Sequence, residues 1–130
     1  MGLSLKLEDD VIAFTFSGFT EFRAEVVSSI YGQEMGDIIE KAYKTFYKSG
    51  TEPLTTDEKE KLEQIHPDLW ILLNHCDESG EITPDESDKL YKVLKDVEFK
   101  FLWDTLRFNQ LKDMLKKSVD TGKTIEFIAK

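Results

Sequence analysis

A run of oxygen-bearing side chains occupies residues 75–86, in the segment HCDESGEITPDE. Its spacing matches a twelve-residue calcium loop, which takes ligands at positions 1, 3, 5, 7, 9 and 12 and needs a glycine at position 6 for its sharp turn. Gly80 falls at position 6, and the apolar residue Ile82 follows at position 8. The predicted metal ligands are the side chains of Asp77, Ser79, Thr83 and Glu86 and the backbone carbonyl of Glu81.

Two positions of this loop depart from the calcium pattern. Position 1 is His75 where the pattern asks for aspartate. A neutral imidazole suits zinc, copper or nickel better than a hard cation, so His75 is either an outer-shell residue or a ligand for a softer metal. Ser79 supplies an oxygen but no charge, which leaves Asp77 and Glu86 as the charged ligands. Because charge count tunes affinity, we expect weak calcium binding.

The end of the loop also fits an explanation without a metal. Thr83-Pro84-Asp85-Glu86 has the pattern of a capping box, in which threonine caps a helix and the glutamate three residues later binds back to the threonine amide. On this alternative the segment is a plain corner between two helices. Asp77, Gly80 and Ile82 then remain as independent support for a cation loop.

These residues resemble the EF-hand family over the twelve loop positions and their flanking helices. The chain also resembles a group of small bacterial proteins that carry an LxxLxNHSDCDGExxPEE-like stretch after an FSxSGFxxFR-like stretch. This second resemblance implies that histidine at position 1 is normal for the group, and it implies no reaction. The residues that carry it are Phe16, Ser17, Gly18, Phe19, Phe22, Arg23, Leu69, Leu72, Asn74, His75, Asp77, Gly80, Glu81, Pro84 and Glu86.

The elements that must position the loop follow from hydrophobic periodicity. Alternating apolar residues over 3–7 and a run rich in β-branched and aromatic residues over 11–16 predict a β-hairpin. The segment TIEFIA at 124–129 predicts a strand that joins it. Helices are predicted over 17–31, 33–48, 55–64, 68–76, the stretch after residue 84, and 98–121. Arg23 lies off the apolar stripe of its helix and is expected in solvent. Leu102 and Leu106 are expected on the buried stripe of the last helix.

The predicted fold class is therefore α+β. About five helices pack on a small three-stranded antiparallel sheet, formed by the N-terminal hairpin and the C-terminal strand. Residues 1–130 are expected to form one domain, with the EF-hand-like helix–loop–helix at about 67–97.

Charge and composition restrict the class of partner. With 26 acidic and 17 basic residues the net charge is -9, which disfavours nucleic acid and anionic membranes and favours cations or a protein with a basic surface. One cysteine, Cys76, indicates a reducing cytoplasm. The high charge favours a soluble monomer.

Two functions remain, and neither is enzymatic. His75 and Cys76 are adjacent, so they point apart and do not form a nucleophile–base pair, and the chain has no phosphate loop, GxSxG or HExxH motif. The first function is weak binding of a divalent cation, calcium, by the degenerate loop. The alternative is an acidic protein-interaction module, of the immunity or antagonist type, in which the loop binds nothing. An exposed acidic face with an apolar centre would favour the second.

Overall fold

The computed structural model describes residues 2–47, 54–74 and 79–129, which form an α+β structure. Short 3-10 turns over Pro67–Leu69 and Leu102–Asp104 precede the fourth and sixth helices. The strands are β1 (Gly2–Leu7), β2 (Asp10–Thr15), β3 (Ser79–Ile82) and β4 (Ile125–Ala129), and the helices are α1 (Phe16–Tyr31), α2 (Gln33–Tyr47), α3 (Thr56–Leu62), α4 (Trp70–Leu73), α5 (Pro84–Leu94) and α6 (Thr105–Thr121).

The four strands form one antiparallel sheet in the order β2-β1-β4-β3. The predicted hairpin is confirmed, and so is the pairing of β4 with β1, where Leu5 lies opposite Phe127. The predicted number of three strands is wrong, because β3 adds a fourth strand on the free side of β4. Its four residues, SGEI, offer one apolar side chain, Ile82, so the strand carries no alternation to read.

The predicted number of about five helices is also wrong, since the described residues contain six α-helices. α1 begins at Phe16, one residue before the predicted start, because Thr15 caps it: the Thr15 hydroxyl accepts a hydrogen bond from the Gly18 amide at 2.9 Å. Gly32, at φ 107°, ends α1 in a conformation that favours glycine.

The last helix begins later than predicted. Residues 98–101 are not helical, and α6 starts at Thr105. Phe99 explains the difference, because its ring stacks on Phe108 at 4.6 Å between centroids and contacts Phe22 at 6.0 Å. The packing of the partly buried Phe99 against two core rings overrides the local preference for a helix.

The core lies between the sheet and the helices, and α1 packs closely on α2. Gly36 permits this approach, because a Cβ atom there would lie 2.9 Å from the carbonyl oxygen of Ala24 and 2.8 Å from the Ser28 Cβ. No described helix is both long and apolar enough to cross a membrane. The largest fully buried apolar side chains are Phe19, Phe22, Phe108, Leu3, Leu5, Leu7, Ile39, Leu69, Leu72, Leu73 and Ile82.

The expectation that Arg23 is solvated is wrong, since its side chain is 0% exposed. Its guanidinium carbon lies 4.2 Å from the centre of the Phe19 ring and 4.0 Å from that of Tyr43. The Tyr43 hydroxyl in turn donates to the Leu73 carbonyl at 2.6 Å. Arg23 therefore connects α1, α2 and the end of α4 through cation–π contacts.

Candidate functional site

The structure describes part of the predicted cation loop. Asp77 lies outside the described residues, as do His75 and Cys76. Ser79 begins β3 opposite Ile128, and Glu81 is an exposed β3 residue opposite Glu126. The predicted convergence of oxygens from Asp77, Ser79 and Glu86 on one point is not tested by these residues.

Thr83 and Glu86 form the capping box that starts α5. The Thr83 hydroxyl accepts from the Glu86 amide at 3.2 Å, and Glu86 Oε1 accepts from the Thr83 amide at 3.1 Å. These two hydrogen bonds account for the positions of both side chains without a bound cation. Across 2–47, 54–74 and 79–129, no three His, Cys, Asp or Glu residues are grouped to hold a metal. Calcium binding stays a prediction.

A second candidate site lies where α6 begins, and sequence reasoning missed it. Leu102 is 87% exposed, Trp103 is 75% exposed and Leu106 is 70% exposed. The expectation that Leu102 and Leu106 face the core is therefore wrong. We refer to these three side chains as the 102–106 patch. Large apolar side chains that stand together in water indicate a contact surface.

Aromatic rings hold the 102–106 patch to the core. Trp103 meets Phe101 edge-on at 5.3 Å between centroids, and Phe101 contacts Phe99 at 5.8 Å. Phe99 in turn stacks on Phe108, which is buried. The exposed tryptophan therefore stands at the outer end of a series of rings that begins inside the protein.

An acidic cavity of about 160 Å³ opens beside the 102–106 patch, between α1 and α2. Trp103 of the patch and the neighbouring Phe101 line one side of the cavity. Among the described residues that line it, none is a lysine or an arginine. Its acidic lining residues are Glu21, Glu25, Asp37 and Glu40.

Glu25 joins this cavity to the 102–106 patch. The residue is 8% exposed, and its Oε2 accepts a hydrogen bond from the Trp103 indole nitrogen at 2.6 Å. Asp104, 6% exposed, is close enough to Glu25 for the two carboxyl groups to interact, and its Oδ1 accepts a hydrogen bond from Arg107 at 3.0 Å. Burial, the Asp104 carboxylate and the charge of Glu21 raise the pKa of Glu25 to about 8, and the Trp103 hydrogen bond opposes them.

A signal for this site was present in the sequence. Phe99, Phe101 and Trp103 alternate with Lys100 and Leu102 at a spacing of two, which is the period of extended chain and not of a helix. Including these residues in the helix predicted over 98–121 hid the alternation.

A comparison with protein families, curated proteins and solved structures finds no match to this chain.

Proposed function

We propose that this protein is an acidic protein-interaction module, of the immunity or antagonist type, that binds a partner with a basic surface. The observation that carries the proposal is the 102–106 patch, three large apolar side chains exposed beside an acidic cavity. An apolar centre with a charged rim is the common anatomy of a protein interface. The net charge of -9 fits a cationic partner and disfavours nucleic acid.

Trp103 is the natural anchor of such an interface. Tryptophan is enriched among the residues that dominate binding energy, and its ring loses little conformational entropy on association. Here the ring is already held by Phe101 and by its bond to Glu25, so less ordering remains to be done on binding. In this proposal the protein is a cytoplasmic monomer, and it binds its partner through the 102–106 patch.

Site-specific crosslinking tests the proposal. A photoreactive phenylalanine analogue at position 106 is expected to capture a basic protein from a native lysate at low salt. The same analogue at Val11, which is 49% exposed on β2, is the matched control and is expected to capture none. A crosslink from position 106 only to a second copy of this chain, or equal capture from position 11, would overturn the proposal.

Trp103→Ala is expected to weaken binding of the captured and purified partner by at least about 2 kcal/mol, roughly 30-fold in Kd, because it removes the central ring. Isothermal titration calorimetry measures the loss. Val119→Ala, which truncates an apolar residue 39% exposed on α6, is expected to change Kd less than about twofold. Equal Kd values for the wild type and Trp103→Ala would remove Trp103 from the interface.

We propose weak calcium binding by the EF-hand-like loop as a second candidate. The observation that favours it is that loop positions 5 to 12 lie in regular secondary structure. Residues Ser79–Ile82 form β3, in which Ile82 is 0% exposed, and Thr83 is the N-cap of α5. This places the later loop positions on rigid elements, as a ligand loop needs. Asp77, Ser79, Thr83 and Glu86 would bind by side chain and Glu81 by its carbonyl.

Glu86→Gln separates capping from calcium binding. Glutamine also completes a capping box, so the thermal midpoint without calcium is expected to change by less than about 3 °C. Millimolar calcium is expected to raise the midpoint of the wild type and not that of the variant, because the variant loses the charged ligand at position 12. No calcium-dependent shift in the wild type, measured by scanning calorimetry of metal-free protein, would end this candidate.

A further inference from the structure

Two buried carboxyl groups meet at the base of the 102–106 patch. Glu25 lies on α1 and Asp104 ends the 3-10 turn that carries Leu102 and Trp103. Glu25 Oε1 is fully buried and accepts no hydrogen bond within the described part of the chain. Two adjacent buried carboxylates repel each other strongly, so one of them must hold a proton for the contact to persist.

The surrounding groups decide which carboxyl holds the proton. Arg107 donates to Asp104, and Asp104 stands at the N-terminus of α6, where the helix dipole stabilises negative charge. Glu25 receives a neutral donor, Trp103, and faces further acids: Glu21 on its own helix and, from α2, Asp37 and Glu40 across the cavity. The proton therefore resides on Glu25, which can donate it to Asp104.

We propose that the Glu25–Asp104 carboxyl pair is a proton-operated latch that holds the Leu102–Asp104 turn against α1 and so fixes the shape of the 102–106 patch. Loss of the proton places two charges together inside the protein. Their repulsion drives the turn away from α1, and the Trp103 ring leaves its position against Phe101. The inference deepens the proposed function, because the patch that it regulates is the proposed interface.

Fluorine NMR of the free protein labelled with 5-fluorotryptophan tests the latch. The chain has two tryptophans, and Trp70, on α4, serves as the internal reference. Between pH 6 and 9.5 the Trp103 resonance is expected to shift with a midpoint near pH 8, the pKa of Glu25, while the Trp70 resonance stays in place. A Trp103 resonance that does not change over this range would overturn the inference.

Two variants assign the transition to the pair. Glu25→Gln keeps an acceptor for Trp103 and a donor for Asp104 but has no proton to lose, so its Trp103 resonance is expected to stay at the low-pH position. Asp104→Asn removes the neighbouring charge, so the midpoint is expected to fall by about one pH unit or more. A transition that persists in Glu25→Gln would assign the titration to another group and refute the latch.

Because these spectra need no partner, the latch and the proposed function fail separately. A shifting Trp103 resonance with no crosslinking from position 106 would retain the latch and overturn the interface. Crosslinking from position 106 together with a Trp103 resonance that does not shift would retain the interface and overturn the latch.

Discussion

Arg23→Ala is expected to lower the free energy of unfolding by about 3–5 kcal/mol, which is the usual cost of truncating a large buried side chain to alanine. The side chain is 0% exposed and its guanidinium lies between the rings of Phe19 and Tyr43. Truncation leaves a space between α1 and α2 and removes both cation–π contacts. Urea unfolding followed by circular dichroism measures the change.

Arg23→Lys refines this prediction. Lysine keeps the charge but lacks the flat group that fits between two rings, so we expect it to recover less than half of the lost stability. The chain's other arginine, Arg107, is 43% exposed and provides the control. Arg107→Ala is expected to cost clearly less than Arg23→Ala. A loss below about 1 kcal/mol for Arg23→Ala would contradict the role given to this side chain.

Glu25→Gln is expected to stabilise the protein at neutral pH, an unusual direction for a buried substitution. The pKa of Glu25 is raised from 4.5 to about 8, so the folded state binds a proton that the unfolded state releases between these values. Stability that depends on Glu25 is therefore full below pH 4.5 and falls as the pH rises toward 8. Glutamine carries no such penalty, and at pH 7.5 we expect a gain of about 2–4 kcal/mol.

The pH dependence of this gain is the decisive measurement. The difference between Glu25→Gln and the wild type is expected to lie near zero at pH 4.5 and to grow up to about pH 8. Glu60→Gln, at an exposed position on α3, is the control and should show a small difference at every pH. A gain for Glu25→Gln that does not vary with pH would show that the carboxyl group is not the cause.

Local patterns predicted the parts of the fold that local chemistry decides. The hairpin, the Thr83 capping box and the strand at 125–129 could all be predicted, because a short stretch of sequence holds the alternation or the cap. β3 could not be predicted from the sequence, since its four residues hold one apolar side chain and therefore show no alternation. The start of α6 was predicted too early because the conformation at Phe99 is set by ring contacts with Phe22 and Phe108, which are distant in the sequence or in a later turn, and not by its immediate neighbours.

The candidate site followed the same division. The Thr83–Glu86 pair was predicted with its hydrogen-bond pattern, because four consecutive residues contain it. The Glu25–Asp104 pair was out of reach, since it joins α1 to a turn almost eighty residues away, and the chain is too rich in acids for any one pair to stand out. Arg23 was misjudged because the ring that covers it from α2, Tyr43, is supplied by tertiary packing.

The position of β4 between β1 and β3 has a consequence for synthesis on the ribosome. The hairpin can close as soon as it emerges, but β3 has no neighbour to pair with until residues 125–129 have been made. The segment that leads into α5 must therefore wait for the last strand of the sheet before its ladder forms. Long-range pairing of this kind slows folding, and it leaves Ile82 uncovered on the nascent chain until β4 arrives.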